Sequence, residues 1–170
     1  SDFGRNFTDG KFSKALVFDG VNDWVNVTRD ARFDFTNEVY TLAVWIKPNS
    51  VNSFQYIIDK KTETTGYGLQ LRNTGTITAA QAGAGITGNI ALTAGIWSHV
   101  AAASDGTTLR VYINGVLDNS GAVTAITDTA SDLVVGKRVD DVRYFNGTID
   151  EVAIWNISLE SSTILQHAQR

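Results

Sequence analysis

The sequence predicts an all-β fold, an antiparallel two-sheet sandwich with one short C-terminal helix. Three observations carry that expectation. Short runs with apolar residues at every second position recur along the 170 residues. Clusters of Gly, Asn, Asp and Ser separate them at intervals of about eight to twelve residues, the spacing of antiparallel strands joined by tight turns. A single stretch near the end of the chain places its apolar residues at helical spacing.

In order, the strands are read as Ala15 to Phe18, Trp24 to Val27, Thr41 to Lys47, Tyr56 to Lys60, Tyr67 to Leu71, Thr76 to Ala80, Ser98 to Ser104, Thr108 to Ile113, Asp132 to Val135 and Thr148 to Trp155. Ten such segments suffice for two stacked sheets. In the third, Leu42, Val44 and Ile46 share one face and Thr41, Ala43, Trp45 and Lys47 the other, because side chains alternate across a strand. Pro48 then removes a backbone donor and ends the pairing. Asp105-Gly106 and Asn114-Gly115 signal hairpins, since such dipeptides adopt the positive backbone angles that tight turns require. Ala79 to Gly95 is rich in Gly, Ala and Thr and reads as a mobile loop around a weak strand. The helix runs from Leu159 to Ala168, with Ser158 as its cap and Leu159, Ile164, Leu165 and Ala168 as packing positions.

Composition narrows the function. The chain is read as one domain, residues 1–170, with 43% hydrophobic content and enough length for one substantial core. Fourteen Lys and Arg against 18 Asp and Glu give a net charge of −4, with no basic cluster to track phosphates, so nucleic acid is not an expected partner. No apolar run approaches membrane-spanning length, and membrane insertion of this domain is not expected. The chain starts at Ser1 and contains no Met, which reads as a processed or excised piece of a longer protein. Zero Cys excludes a disulfide framework and a thiolate metal site. Asn6, Asn26, Asn146 and Asn156 each open an Asn-x-Ser/Thr triplet, a possible glycosylation acceptor on an exported surface. In a chain rich in Asn, Ser and Thr, such triplets also arise by chance.

The stretch Gly10-Lys-Phe-Ser-Lys-Ala-Leu-Val-Phe-Asp-Gly20, followed by Val-Asn-Asp-Trp-Val-Asn-Val27, resembles the opening of laminin G-like jelly-roll domains of the concanavalin A-like lectin/glucanase superfamily. Tyr40 to Pro48, Gly95 to Ala101 with Leu109 to Gly115, and Phe145 to Trp155 agree with the same family in the expected order. The resemblance implies a jelly-roll sandwich. It is less specific for function, because the fold hosts lectins, glycanases, adhesion modules and spacers.

The resemblance further implies a structural calcium ion, held by the Asp of Phe-Asp-Gly and the Asp of Ile-Asp-Glu with carbonyls of the turn after the first. Carried over, the set is Asp19, Asn22, Asp23 and Asp150, which would tie the two ends of the chain together. The bland alternative is that the aspartates bond their own turns. Independently, Ile149, Val152 and Ile154 cannot share one face under strict alternation, and a bulge at Asp150-Glu151 would reconcile them.

Glycanases on this fold pair Glu residues along one strand, whereas Glu38, Glu63, Glu151 and Glu160 are scattered, so catalysis is not expected. His99 and His167 have no neighbours that make a triad, and His99 reads as a structural strand residue. Sugar binding would use aromatic platforms edged by polar groups. Candidates are Trp24, Tyr56, Lys60, Tyr67, Arg72 and Tyr144, with Trp45, Asn52, Gln55, Gln70 and Arg138 also considered; Trp45, Trp97 and Trp155, which fall in the matched motifs, read as core or edge packing. Lys60-Lys61 and Asp140-Asp141-Val-Arg143 read as solvated loops.

The expected function is therefore an extracellular or cell-surface binding or adhesion module, directed at a glycan or a glycoprotein. The rival reading is a structural domain of a surface filament, S-layer or multidomain surface chain that self-assembles and takes no small ligand.

Overall fold

The computed structural model describes residues 6–35, 37–62, 65–123, 125–126, 130–139 and 143–170, with the side chains of Lys61 and Thr62 outside that description. Asp140, Asp141 and Glu63 also lie outside it. Two antiparallel sheets stack face to face. The large sheet orders its strands β1 (Phe7–Asp9), β2 (Lys14–Asp19), β13 (Asn146–Trp155), β4 (Val39–Pro48), β9 (Ser98–Asp105), β10 (Thr108–Ile113) and β11 (Val116–Ala122). The small sheet orders β3 (Val25–Val27), β12 (Leu133–Val135), β5 (Gln55–Thr62), β6 (Thr65–Leu71), β7 (Thr76–Gln81) and β8 (Ala84–Ala91). Helix α1 (Ser161–Ala168) packs on the outside of the large sheet through Ile164, against Ala43, Ala101, Ala103 and Tyr112. Small alanines on that face give a helix room to approach.

The alternation read in β4 holds: Leu42, Val44 and Ile46 enter the inter-sheet core, while Ala43 and Trp45 face outward. The core continues through Leu69, Leu71 and Ile77 of the small sheet and Val100, Val111 and Ile149 of the large one. One lateral edge is tied by Asp118 of β11, whose carboxylate accepts from the backbone N–H groups of Asn89 and Ile90 in β8. Gly88 makes that approach possible, because a Cβ there would collide with the Asp118 carboxylate.

Several details differ from the sequence reading. Ala79 to Gly95 is not a mobile loop: β7 and β8 form a hairpin across it, turning at Ala82-Gly83 with φ of +45° and +80°. β8 is hard to read because Ala and Gly are poor strand formers and an edge position asks little of them. β1 and β11 are further strands, the latter returning from the Asn114-Gly115 turn, where φ is +51° and +81°. The helix begins at Ser161 with Glu160 as N-cap rather than Ser158, and the segment before it is held by Thr41, whose Oγ1 donates to the Ile157 carbonyl and accepts from the Leu159 N–H.

Two bulges decide which side chains face where. On β13, Asp150 pairs with Trp45 and Ala153 with Ala43, so one extra residue is inserted, with Glu151 at φ +49°. This is the bulge the apolar spacing required: Ile149 and Ile154 both pack on the core, and Val152 stays exposed. On β5, Tyr56 pairs with Gln70 but Ile58 with Leu69, leaving Ile57 as the inserted residue.

Candidate functional site

The bulge on β5 puts Tyr56 and Lys60 on opposite faces of the small sheet, although their spacing alone would place them together. Tyr56 turns outward. Its row continues across the sheet as Gln70, Thr78 and Thr87, residues directly opposite one another on β6, β7 and β8. The Thr78 and Thr87 hydroxyls are hydrogen-bonded at 2.8 Å. The next row is Asp59, Gly68, Ala80 and Gly85. Its small residues form a trough beside the polar row. Gly68 has no room for a side chain, because a Cβ would lie 2.8 Å from Asp59 Oδ1 and 2.6 Å from the Ile58 carbonyl oxygen. Asp59 itself is buried, and its Oδ2 accepts from the Val139 N–H.

Tyr56, Gln70, Thr78 and Thr87 with Ala80 and Gly85, the margins Phe54, Arg72 and Arg143, and the Gly83–Ala84 turn at the far end enclose a groove of about 350 Å³. The Arg72 guanidinium lies over the Phe54 ring, 4.5 Å from its centroid. Burial pushes the Tyr56 phenol up, and the charges of Arg138 and Arg143 act against that rise. The groove thus offers the exposed Phe54 ring with the buried Tyr56 beside it, a line of amide and hydroxyl groups, and guanidinium cations above a floor with almost no side chains.

Of the side chains expected to touch a ligand, Tyr56 and Arg72 line this groove, as does Gln70. Tyr67 and Lys60 are corrected to interior positions. The Tyr67 ring stacks within 5.0 Å of both Phe35 and Tyr40, its hydroxyl donates to the Phe33 carbonyl, and burial pushes its phenol up. Lys60 is 1% exposed, pairs with Asp34 at 2.9 Å and donates to the Ser131 carbonyl; it is a buried strand residue and not part of a solvated loop. Trp24, half-buried with the Lys137 ammonium 4.1 Å above its ring, and Tyr144 lie outside the groove. Phe54, Thr78, Thr87, Arg143 and the Gly–Ala floor escaped the sequence reading. Their signal was the run of small residues at alternate positions on neighbouring strands, which becomes visible once the register is known.

The four residues expected to hold calcium do not share a site. Asn146 pairs with Asp19, and Asp150 lies four residues further along β13, about 13 Å away at the strand rise. Asp150 instead holds the turn before β2, its Oδ2 accepting from the Phe12 N–H and its Oδ1 from the Glu151 N–H. Asp19 is exposed; the N–H groups of Val21 and Asn22 bond its Oδ1 and hold its carboxyl below the ordinary range. Asp23 accepts from the Asp19 N–H. Among the described residues, no three His, Cys, Asp or Glu side chains are grouped to hold a metal ion.

Two other concavities differ in character. Between the open edges of the sheets, Phe7, Leu16, Val25, Val27, Leu133 and Val152 line an apolar cleft of about 620 Å³. On the outer face of the large sheet, Phe12, Trp45, Trp155, His99 and His167 bound a cleft of about 230 Å³, with Glu151 and Arg170 at its rim. His99 packs on Trp45 at 5.4 Å, and burial, reinforced by the charge of His167, pushes its imidazole down to about 4. Of the asparagines that open Asn-x-Ser/Thr triplets, Asn6, Asn26 and Asn156 are exposed and Asn146 is half-buried; the Asn26 amide donates to Asp132.

A family described as the concanavalin A-like lectin/glucanases superfamily, laminin G type, matches residues 19–165. No curated protein matches the sequence. Among solved structures, domain 4 of AbnA, an extracellular arabinanase from Geobacillus stearothermophilus in complex with arabinotriose, is 24% identical with a TM-score of 0.76, over 96% of this chain and 80% of that one. The binding domain of Paraclostridial mosquitocidal protein 1 is 16% identical with a TM-score of 0.78, over 95% of this chain and 44% of that one. Botulinum neurotoxin type C, whose cell entry depends on two ganglioside molecules, is 15% identical with a TM-score of 0.69, over 96% and 44%. The chain thus spans under half of either toxin chain, and at these identities the likeness is one of fold.

Proposed function

Because the chain belongs to the concanavalin A-like lectin/glucanase superfamily, we propose that it is a non-catalytic carbohydrate-binding module of an extracellular or cell-surface protein, with its ligand seated in the groove of the small sheet. The observation that carries this reading is the row Tyr56, Gln70, Thr78 and Thr87 set above a side-chain-poor trough and flanked by Phe54. A sugar ring presents an apolar face and a circumference of hydroxyls, so it needs both an aromatic surface and donors and acceptors within reach. Fold relatives named for bound arabinotriose and for gangliosides support the same class of ligand.

The test is binding to a panel of immobilised glycans, followed by calorimetry on the best. Gln70→Ala and Phe54→Ala should each weaken binding about tenfold, ~1.4 kcal/mol, while the melting temperature moves by only a few degrees. Binding left intact by both substitutions would remove the groove from the reading. A structural calcium ion, also part of the proposal, is confined to the turn of Asp19, Asn22 and Asp23.

A second reading, a structural domain covered by a neighbouring surface in a larger assembly, is favoured by the apolar cleft between the open sheet edges, where Phe7 is 61% exposed. Sedimentation across a concentration series tests it, and association abolished by Phe7→Ser supports it.

A further inference from the structure

We propose that the groove of the small sheet is specific for an anionic glycan, whose carboxylate or sulfate oxygens are taken by Arg72 and Arg143 while its neutral hydroxyls meet Gln70 and Thr78. This rests on the carbohydrate-binding reading and adds the charge of the ligand.

The local charge opposes the charge of the chain. Acidic residues outnumber basic ones by 18 to 14, yet among the described residues lining the groove there are two arginines and no Asp or Glu. Asp59, on the same face, is buried with its Oδ1 against Gly68 and its Oδ2 accepting from the Val139 N–H; it does not line the opening, although its charge reaches Tyr56. A guanidinium presents planar paired donors that match two oxygens of one anionic group, and it is more weakly hydrated than an ammonium, so it gives up water for a ligand more readily. The position of the Arg72 guanidinium 4.5 Å from the Phe54 centroid limits its freedom and directs it along the groove margin. Arg143 is exposed on the same groove, near enough to Tyr56 for its charge to act on the phenol. Between them the floor of Ala80, Gly83, Ala84 and Gly85 carries little side chain, so a sugar ring can approach the backbone there with an anionic substituent near the guanidinium groups.

Matched pairs of polymers isolate the charge: polygalacturonate against its methyl ester, and dextran sulfate against dextran. Binding by calorimetry should be at least tenfold tighter for a charged member than for its neutral twin. It should weaken steadily from 0.05 to 0.5 M NaCl, about the range over which screening shortens from beyond 10 Å to a few ångströms, and fall about tenfold in Arg72→Gln and in Arg143→Gln. The two pairs separate carboxylate from sulfate, and preference for either charged member supports the proposal. Neutral polymers bound equally well, with Gln70→Ala still weakening them, would overturn the anionic proposal and leave the carbohydrate reading standing. Charged polymers bound without dependence on salt or on either arginine would also overturn it. No binding to any polymer of the set or to the glycan panel would overturn both. The salt titration uses the unaltered protein, so it decides the matter even where a variant fails to fold.

Discussion

The outer faces of the two sheets meet solvent in different ways, although each is the back of the same core. On the large sheet, Trp45, His99 and Trp155 project outward and the alanines Ala43, Ala101 and Ala103 receive α1 through Ile164. On the small sheet the outward positions are Gly68, Ala80 and Gly85 beside Gln70, Thr78 and Thr87; Gly85 and Thr87 are exposed, while Gln70, Thr78 and Ala80 lie low along the groove. Side-chain volume at alternate strand positions separates the two outcomes. Where large aromatics and a helix fill the face, the protein packs against itself; where small residues lie beside a polar row, a ligand-sized groove remains. A groove stays open because its floor cannot fill it.

The largest effect should come from the boundary between the faces. Replacing Lys60 with Ala would remove one of the two cations that hold the Asp34 carboxylate, leaving Arg29 at 3.0 Å, and would cost about 3 kcal/mol of stability, the low end for breaking a buried pair, read by urea unfolding. Glycan affinity of the folded fraction should not change, since Lys60 faces away from the groove. A loss of affinity without a loss of stability would return Lys60 to the surface.

A smaller effect belongs to the covered face. Below about pH 6.5 the unfolded chain protonates its histidines, whereas folded His99 refuses the proton until about pH 4. Stability should therefore fall with pH across that window, by at most about 3 kcal/mol, and level off below it as far as this group is concerned. In His99→Gln that slope should be largely lost. Asp105, held low chiefly by the Thr107 hydroxyl and the Arg110 guanidinium, contributes its own loss only at more acid pH. An unchanged slope in His99→Gln would mean that the cleft of the large sheet is open to water.

On the open face, Ala80→Leu should fill the trough. We expect glycan binding to weaken about tenfold, ~1.4 kcal/mol, with a stability loss of about 1 kcal/mol because Ala80 is buried even though it lines the groove. Unimpaired binding would shift the ligand off the sheet.

The smallest expected change concerns calcium. Any rise in melting temperature on adding calcium to metal-stripped protein should vanish in Asp19→Asn and persist in Asp150→Asn, since the two carboxylates are on different parts of the β2–β13 pair. Equal loss in both variants would contradict that separation, and no rise in the unaltered protein would end the calcium proposal.

Much of the fold was legible because strand periodicity is local. Alternation in Thr41 to Lys47 named the buried trio Leu42, Val44 and Ile46, the Asn114-Gly115 turn announced a hairpin, and mismatched spacing after Ile149 announced a bulge. The resemblance carried through the concanavalin A-like family and its sandwich. The binding face was only partly legible. Tyr56, Gln70 and Arg72 were named from residue type, but Tyr67 and Lys60 were named on the same grounds and lie inside. Nothing in the local sequence announces the residue inserted at Ile57, and the edge strand β8 lacks the β-branched and aromatic pattern that marks a strand.

The sequence by itself determined the class of the fold, the faces of its regular strands and the excess of acid over base, because these follow from residue type and a period of two. Tertiary structure alone decided that Asp19 and Asp150 stand apart, that Lys60 is buried against Asp34, and that two arginines border a groove that, among the described residues, no carboxylate lines. The physical reason is register. One inserted residue reverses every later side chain, and which residues stand opposite one another is set by pairing between segments distant in the chain.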